Sequence, residues 1–134
     1  MVITWSRRKL NKYLSRIDGA ILLGRYALAL KLANRLLKHY YRSFIVSKIP
    51  TEQEKENIRL MAHSIRRYII HHYRQCSMPD TEKRLLMMGM ITNVMDVHSR
   101  FCEDVSEDTV ADEATATYVR RNVTEVIRFL MKYA

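Results

Sequence analysis

The chain has 134 residues, a length that suits one domain with one hydrophobic core, and its 48% hydrophobic and 28% charged residues are typical of a globular protein. Only 3 Gly and 2 Pro interrupt it, which favours long helices joined by short loops. The longest apolar run is far shorter than the about 20 residues that cross a bilayer, and no secretory signal is visible. We therefore expect a cytoplasmic protein with no membrane partner.

The N-terminal third predicts two helices separated by a glycine. Thr4 or Ser6 can cap a first helix that runs to about Leu23, and Gly24 is a suitable C-terminal stop. A second helix follows as far as about Ser47, where the chain approaches a proline. Both helices carry apolar side chains at helical spacing: Leu10, Tyr13, Leu14, Ile17 and Ile21 in the first, and Tyr26, Leu30, Ala33, Leu37, Tyr40 and Phe44 in the second.

Two more helices are predicted in the middle of the chain. Thr51 followed by Glu54 is a capping-box pattern, so we expect a third helix to begin there and to run to about Gln75. After a turn, a fourth helix is predicted over residues 81–101. Its methionine-rich surface is larger than a short bundle needs, and we expect a homodimer that forms through the third and fourth helices.

An acid-rich segment separates the fourth helix from a fifth. Six acids lie within residues 103–113, and the last helix should begin between Ser106 and Asp112 and end near the C-terminus. Short connections make helices that follow one another antiparallel. The predicted fold is all-α, a compact up-and-down bundle of four to five helices in one domain over residues 1–134.

Positive charge is concentrated in the N-terminal part. Residues 1–50 contain 11 Lys and Arg and a single acid, whereas the other 84 residues have a net charge of −1. Two rows at helical spacing result: Arg8, Lys12 and Arg16 on the first helix, and Lys31, Arg35, Lys38 and Arg42 on the second. The second row covers about 60° of the helix, opposite its apolar face. The pattern predicts contact with nucleic-acid phosphates; a solvated surface or an acidic protein partner are the alternatives.

The third helix contains a short pattern that could support phosphodiester cleavage. Arg66 and Arg67 precede His71 and His72, and a guanidinium can hold a phosphate while an imidazole moves a proton. Such a short pattern also arises by chance. No complete set of metal ligands, nucleophile–base pair or Gly-rich phosphate loop is evident, so neither a metal nor a cofactor is predicted.

Three further segments occur in a characteristic order. They are residues 24–30 at the start of the second helix, Asn93-Val94-Met95-Asp96-Val97-His98-Ser99, and residues 126–131 in the last helix. Their order and spacing over residues 17–133 resemble the HEPN superfamily, especially its abortive-infection C-terminal branch. The resemblance implies a helical homodimer, and many such proteins are metal-independent ribonucleases of prokaryotic defence systems.

The resemblance also implies an active site made of an arginine, a polar residue and a histidine. Asn93 matches the polar position and His98 the histidine, but Thr92 stands where the family has arginine. Threonine has no forked, permanently charged donor for a phosphate, which favours a non-catalytic or weakly catalytic member. Arg100, or the arginines and histidines of the third helix, are the alternatives.

Three functions follow from these observations. The first is a non-catalytic nucleic-acid-binding accessory protein, with RNA preferred over DNA, that belongs to a prokaryotic defence or mobile-element system. The second is a metal-independent ribonuclease or toxin. The third is an interaction module that docks on an acidic partner, such as a larger defence complex or a cognate toxin or antitoxin.

Overall fold

The computed structural model describes residues 5–52, 57–75 and 111–131, together with positions 86 and 89. Every regular element in these ranges is helical, which confirms the predicted all-α bundle. The long helices are α1 (Arg7–Leu22), α2 (Tyr26–Lys48), α3 (Ile58–Gln75) and α4 (Glu113–Met131), and a short 3-10 helix (Pro50–Glu52) follows α2. Of the helix predicted over residues 81–101, only positions 86 and 89 are described, and both are helical.

Local capping defines both ends of α1. The Ser6 hydroxyl accepts a hydrogen bond from the backbone amide of Lys9 at 3.2 Å, as the sequence predicted. At the other end, the amides of Gly24 and Arg25 donate to carbonyls of the last helical turn, at 3.0 and 2.8 Å. Gly24 has a φ of +73°, the left-handed conformation that glycine adopts without strain. A turn of three residues therefore reverses the chain, and α2 runs antiparallel to α1.

The start of α3 differs from the prediction. Thr51 lies in the 3-10 helix, and α3 begins only at Ile58. The Asn57 side-chain oxygen accepts hydrogen bonds from the amides of Arg59 and Leu60, at 2.8 and 3.4 Å. A helix beginning at Thr51 was therefore wrong, because asparagine six residues later satisfies the free amides of the first turn.

Helix α4 starts one residue beyond the predicted range of Ser106 to Asp112, because Asp112 serves as its cap. The carboxylate of Asp112 accepts a hydrogen bond from the amide of Thr115 at 2.7 Å, and the helix begins at the next residue, Glu113. Hydrogen bonds from Thr115, through its side chain and its backbone, lower the pKa of Asp112.

Helix α2 lies at the centre of the bundle. It packs against α1, α3 and α4, while α4 also packs against α1. Side chains with no exposed surface come from three helices: Leu36, Leu37 and Tyr41 of α2, Met61 and Ile69 of α3, and Val119, Val123, Val126 and Ile127 of α4. Because three helices pack against α2, only its remaining face is exposed to solvent. In the described ranges, no helix combines the length and apolarity needed to cross a membrane.

Candidate nucleic-acid interface

The basic residues predicted to contact phosphates lie at the surface of α1 and α2. Lys31 is half-buried, and the other six are exposed: Arg8, Lys12, Arg16, Arg35, Lys38 and Arg42. None of these six forms an ion pair within the described ranges. No acid occurs anywhere in α2. No described acid therefore neutralises these six cations, which attract an external anion.

The single acid of residues 1–50 is paired with another helix. Asp18 accepts hydrogen bonds from the guanidinium of Arg120 in α4, at 2.8 Å from Nε and 3.1 Å from the second nitrogen. Two residues rotate a helix by about 200°, so Asp18 lies on the opposite side of α1 from Arg16. The carboxylate thus fastens α1 to α4 and does not offset the basic rows.

The rows of α1 and α2 face the same side of the helix pair. The ring centroids of Tyr13 in α1 and His39 in α2 lie 6.0 Å apart, which marks the seam between the helices. Arg16 follows Tyr13 by three residues, and Arg42 follows His39 by three. Three residues turn a helix through about 300°, so each arginine points about 60° away from the ring that precedes it, in the same direction of rotation when each helix is viewed from its N-terminus. In antiparallel helices, these rotations bring both arginines to the same side of the seam.

Three aromatic rings occupy this seam. We call Trp5, Tyr13 and His39 the aromatic patch. The centroid of Trp5 lies 5.6 Å from that of Tyr13, with the ring planes 26° apart, and 5.5 Å from that of His39. All three residues are half-buried, and the indole nitrogen of Trp5 is on the buried side, with no acceptor among the described residues. An aromatic strip therefore lies between two rows of cations.

Two cations of α1 approach the rings of the aromatic patch. The Lys9 ammonium lies 4.9 Å from the centroid of the Trp5 ring, and the Arg16 guanidinium carbon lies 5.9 Å from that of Tyr13. Both distances fall within the range of cation–π attraction. Burial lowers the pKa of His39, and the charges of Lys9 and Arg42 lower it further. The imidazole is therefore uncharged at neutral pH, and the patch presents aromatic surface in a cationic setting.

The buried side of the patch is held by further rings. Tyr40 meets Trp5 edge to face at 5.2 Å, and its centroid lies 6.4 Å from that of Phe44. Phe44 in turn meets Tyr68 of α3 at 5.6 Å. Tyr40 is 2% exposed, and burial raises the pKa of its phenol. This chain of rings joins the patch to the core.

The four residues of the α3 pattern do not converge on one point. Arg67 and His71 are exposed and one turn apart on the same face. His72 instead stacks on Tyr68, with centroids 6.2 Å apart, and is half-buried. Arg66 is also half-buried, and its Nε is buried without an acceptor among the described residues. Of the four, only Arg67 and His71 could contact one phosphate together.

Two features of these surfaces were not predicted. From sequence, Tyr13 was assigned to the core face and Trp5 and His39 had no role, although Trp5, Lys9 and Tyr13 recur every four residues at the start of α1 and just before it. On α3, an exposed row was also missed, in which arginine and histidine alternate at spacing four: Arg59, His63, Arg67 and His71. The spacing of Trp5, Lys9 and Tyr13 and the row on α3 could both have been detected from helical periodicity. The contact between Trp5 and His39 could not, because it joins residues that are far apart in sequence.

The site implied by the family resemblance, Asn93 and His98, lies outside the described residues. Within the described ranges, no group of three or more His, Cys, Asp or Glu side chains is placed to hold a metal ion. Comparisons with models of known protein families, with curated proteins and with solved structures find no significant match. The chemistry of the basic α1–α2 surface and of the exposed α3 row is therefore what indicates function.

Proposed function

We propose that this protein binds nucleic acid through the surface formed by the basic rows of α1 and α2. The observation that carries the proposal is a set of six exposed cations on adjacent helices, without acid partners in the described ranges. Like charges one turn apart destabilise a helix slightly, and a polyanion removes that repulsion. Binding would be driven by release of counterions from the phosphates.

The resemblance to the HEPN superfamily extends the proposal to RNA in preference to DNA. It also supports a homodimer and an accessory role in a prokaryotic defence or mobile-element system. Thr92 at the arginine position favours binding without cleavage, because threonine cannot hold a scissile phosphate with a charged fork.

The test is affinity for a labelled single-stranded RNA across a salt series, measured by anisotropy. The variant R35E/K38E should lose at least about tenfold in affinity and show a shallower salt dependence, because two phosphate contacts are lost. The matched control is R121E/R128E, which makes the same change in net charge with two exposed residues of α4. Equal affinity of the two variants would contradict the proposal. Failure of the unaltered protein to bind at low salt would assign the surface to an acidic protein instead.

A second candidate function is metal-independent RNA cleavage. It is favoured by the exposed guanidinium of Arg67 and the imidazole of His71, one helical turn apart. The test is incubation with labelled RNA in the presence of a chelator, with H63A as a control in the same exposed row. Loss of cleavage in H71A alone would support this function, and loss in H98A alone would move it to the family position. Intact RNA with the unaltered protein would rule it out.

A further inference from the structure

We infer that the aromatic patch is a base-stacking site, so that this surface takes single-stranded nucleic acid with an unpaired base against the patch. In this arrangement Lys9, Arg16 and Arg42 contact the phosphates on either side of that base. The inference deepens the proposed function and rests on it.

The position of the rings is the first argument. Aromatic side chains that serve only as core are covered, as Tyr40 is at 2% exposure. The three rings of the patch are instead half-buried and lie at the seam between two cationic rows. Every base has a π face that can stack on such rings, and single-strand-binding proteins combine aromatic platforms with a positively charged path for the backbone.

The distances between charges and rings are the second argument. Lys9 lies 4.9 Å from the Trp5 centroid, and Arg16 lies 5.9 Å from that of Tyr13. A ligand that contacts a ring is thus within reach of a cation. A polyphosphate would use only the charges and an apolar peptide only the rings, whereas a nucleotide carries both a π face and a phosphate.

The packing of further rings beneath the patch is the third argument. Tyr40 packs edge to face against Trp5 from the buried side, and the ring chain continues through Phe44 to Tyr68 of α3. A platform that is already ordered loses less entropy when a ligand binds. A duplex cannot use this platform without extruding a base from its stack, which costs a few kcal/mol. The patch should therefore distinguish single strands from duplexes.

The first experiment uses the unaltered full chain, because Trp5 is its single tryptophan and reports directly on the patch. Its emission is followed while an unstructured single-stranded RNA, a duplex of the same length or inorganic polyphosphate is added, and anisotropy measures binding of each in parallel. Bound single strand should strongly quench Trp5, whereas bound polyphosphate and duplex should leave most of its emission. Equal quenching by polyphosphate, or bound single strand without quenching, would overturn the inference.

The second experiment compares W5L with R35E/K38E, after circular dichroism has established that both are folded. Loss of one stacking contact should weaken single-strand binding roughly 5- to 150-fold and leave duplex binding nearly unchanged. The charge reversal should weaken binding of both ligands. If the protein binds all polyanions without preferring single strands, only the stacking inference is contradicted. If it binds no nucleic acid at all, both the stacking inference and the proposed function are contradicted.

Discussion

The α1–α2 surface and the exposed face of α3 are both basic, yet they differ in what they offer a ligand. The α1–α2 surface has cations from two helices, with rings between them. The α3 face has a single row in which two arginines alternate with two histidines. The nearby rings of Tyr68 and His72 stack on each other, and Tyr68 also contacts Phe44 of α2. Positive charge alone therefore does not define a binding site. On the α1–α2 surface, by contrast, Lys9 and Arg16 lie within cation–π distance of rings at the seam between two helices, and this combination supports the proposal of a nucleic-acid partner.

The largest expected effect is a loss of stability when the core of α2 is altered, because α2 carries one of the two basic rows and also packs against α3. Leu37 has no exposed surface, so L37A should lower the free energy of unfolding by about 2–5 kcal/mol through lost packing and a cavity. L22A is the control, because Leu22 is 87% exposed and its loss should matter by less than about 0.5 kcal/mol. Urea unfolding followed by circular dichroism measures both. A small effect of L37A would mean that α2 does not organise the two surfaces.

The next effect compares the two surfaces directly. Reversal of two charges on α2, in R35E/K38E, should weaken RNA binding by about ten- to a hundredfold, since both side chains are exposed members of the α2 basic row. The matched reversal on α3, R59E/R67E, should weaken it by less than about threefold, an effect of general charge alone. Anisotropy at one fixed salt concentration gives both values. Equal losses would remove the distinction between the surfaces.

The capping residues give a smaller, symmetrical test. S6A and N57A each remove the oxygen that caps one helix, and each should lower the free energy of unfolding by about 1 kcal/mol. Only S6A should also change the emission of Trp5 in the folded state, because Ser6 caps α1 and is the residue next to Trp5. A change of equal size in N57A would show that the patch depends on α3 as much as on α1.

The smallest effect is the pH response of His39. Its folded-state pKa is below the ordinary 6.5, so the unfolded chain takes up a proton first as the pH falls. Stability should decrease below about pH 6.5 and level off once the folded pKa is passed. Burial is the larger cause and Lys9 a smaller one, so K9M should move the pKa only part of the way back. An NMR titration of the imidazole measures the pKa, and an unshifted value would place His39 outside the patch.

The sequence was sufficient for the helices and their faces wherever the signal was local. Gly24 as the end of α1 and the exposure of Arg35, Lys38 and Arg42 followed from residue type and a period of 3.6. The start of α3 was missed, because Thr51 and Asn57 are both suitable caps in sequence. A choice between neighbouring caps depends on where the helix first packs against α2, and no local pattern contains that information.

By itself, the sequence determined which segments form α1, α2 and α4, and which faces of α1 and α2 carry charge, since both are properties of neighbouring residues. The tertiary structure decided which faces meet. It pairs Asp18 with Arg120, 102 positions apart, and places His39 of α2 against Trp5 and Tyr13. Such contacts depend on how distant surfaces pack together, a choice made by the whole buried core. For this reason the basic rows could be read from the chain, while the aromatic patch between them emerged only from the fold.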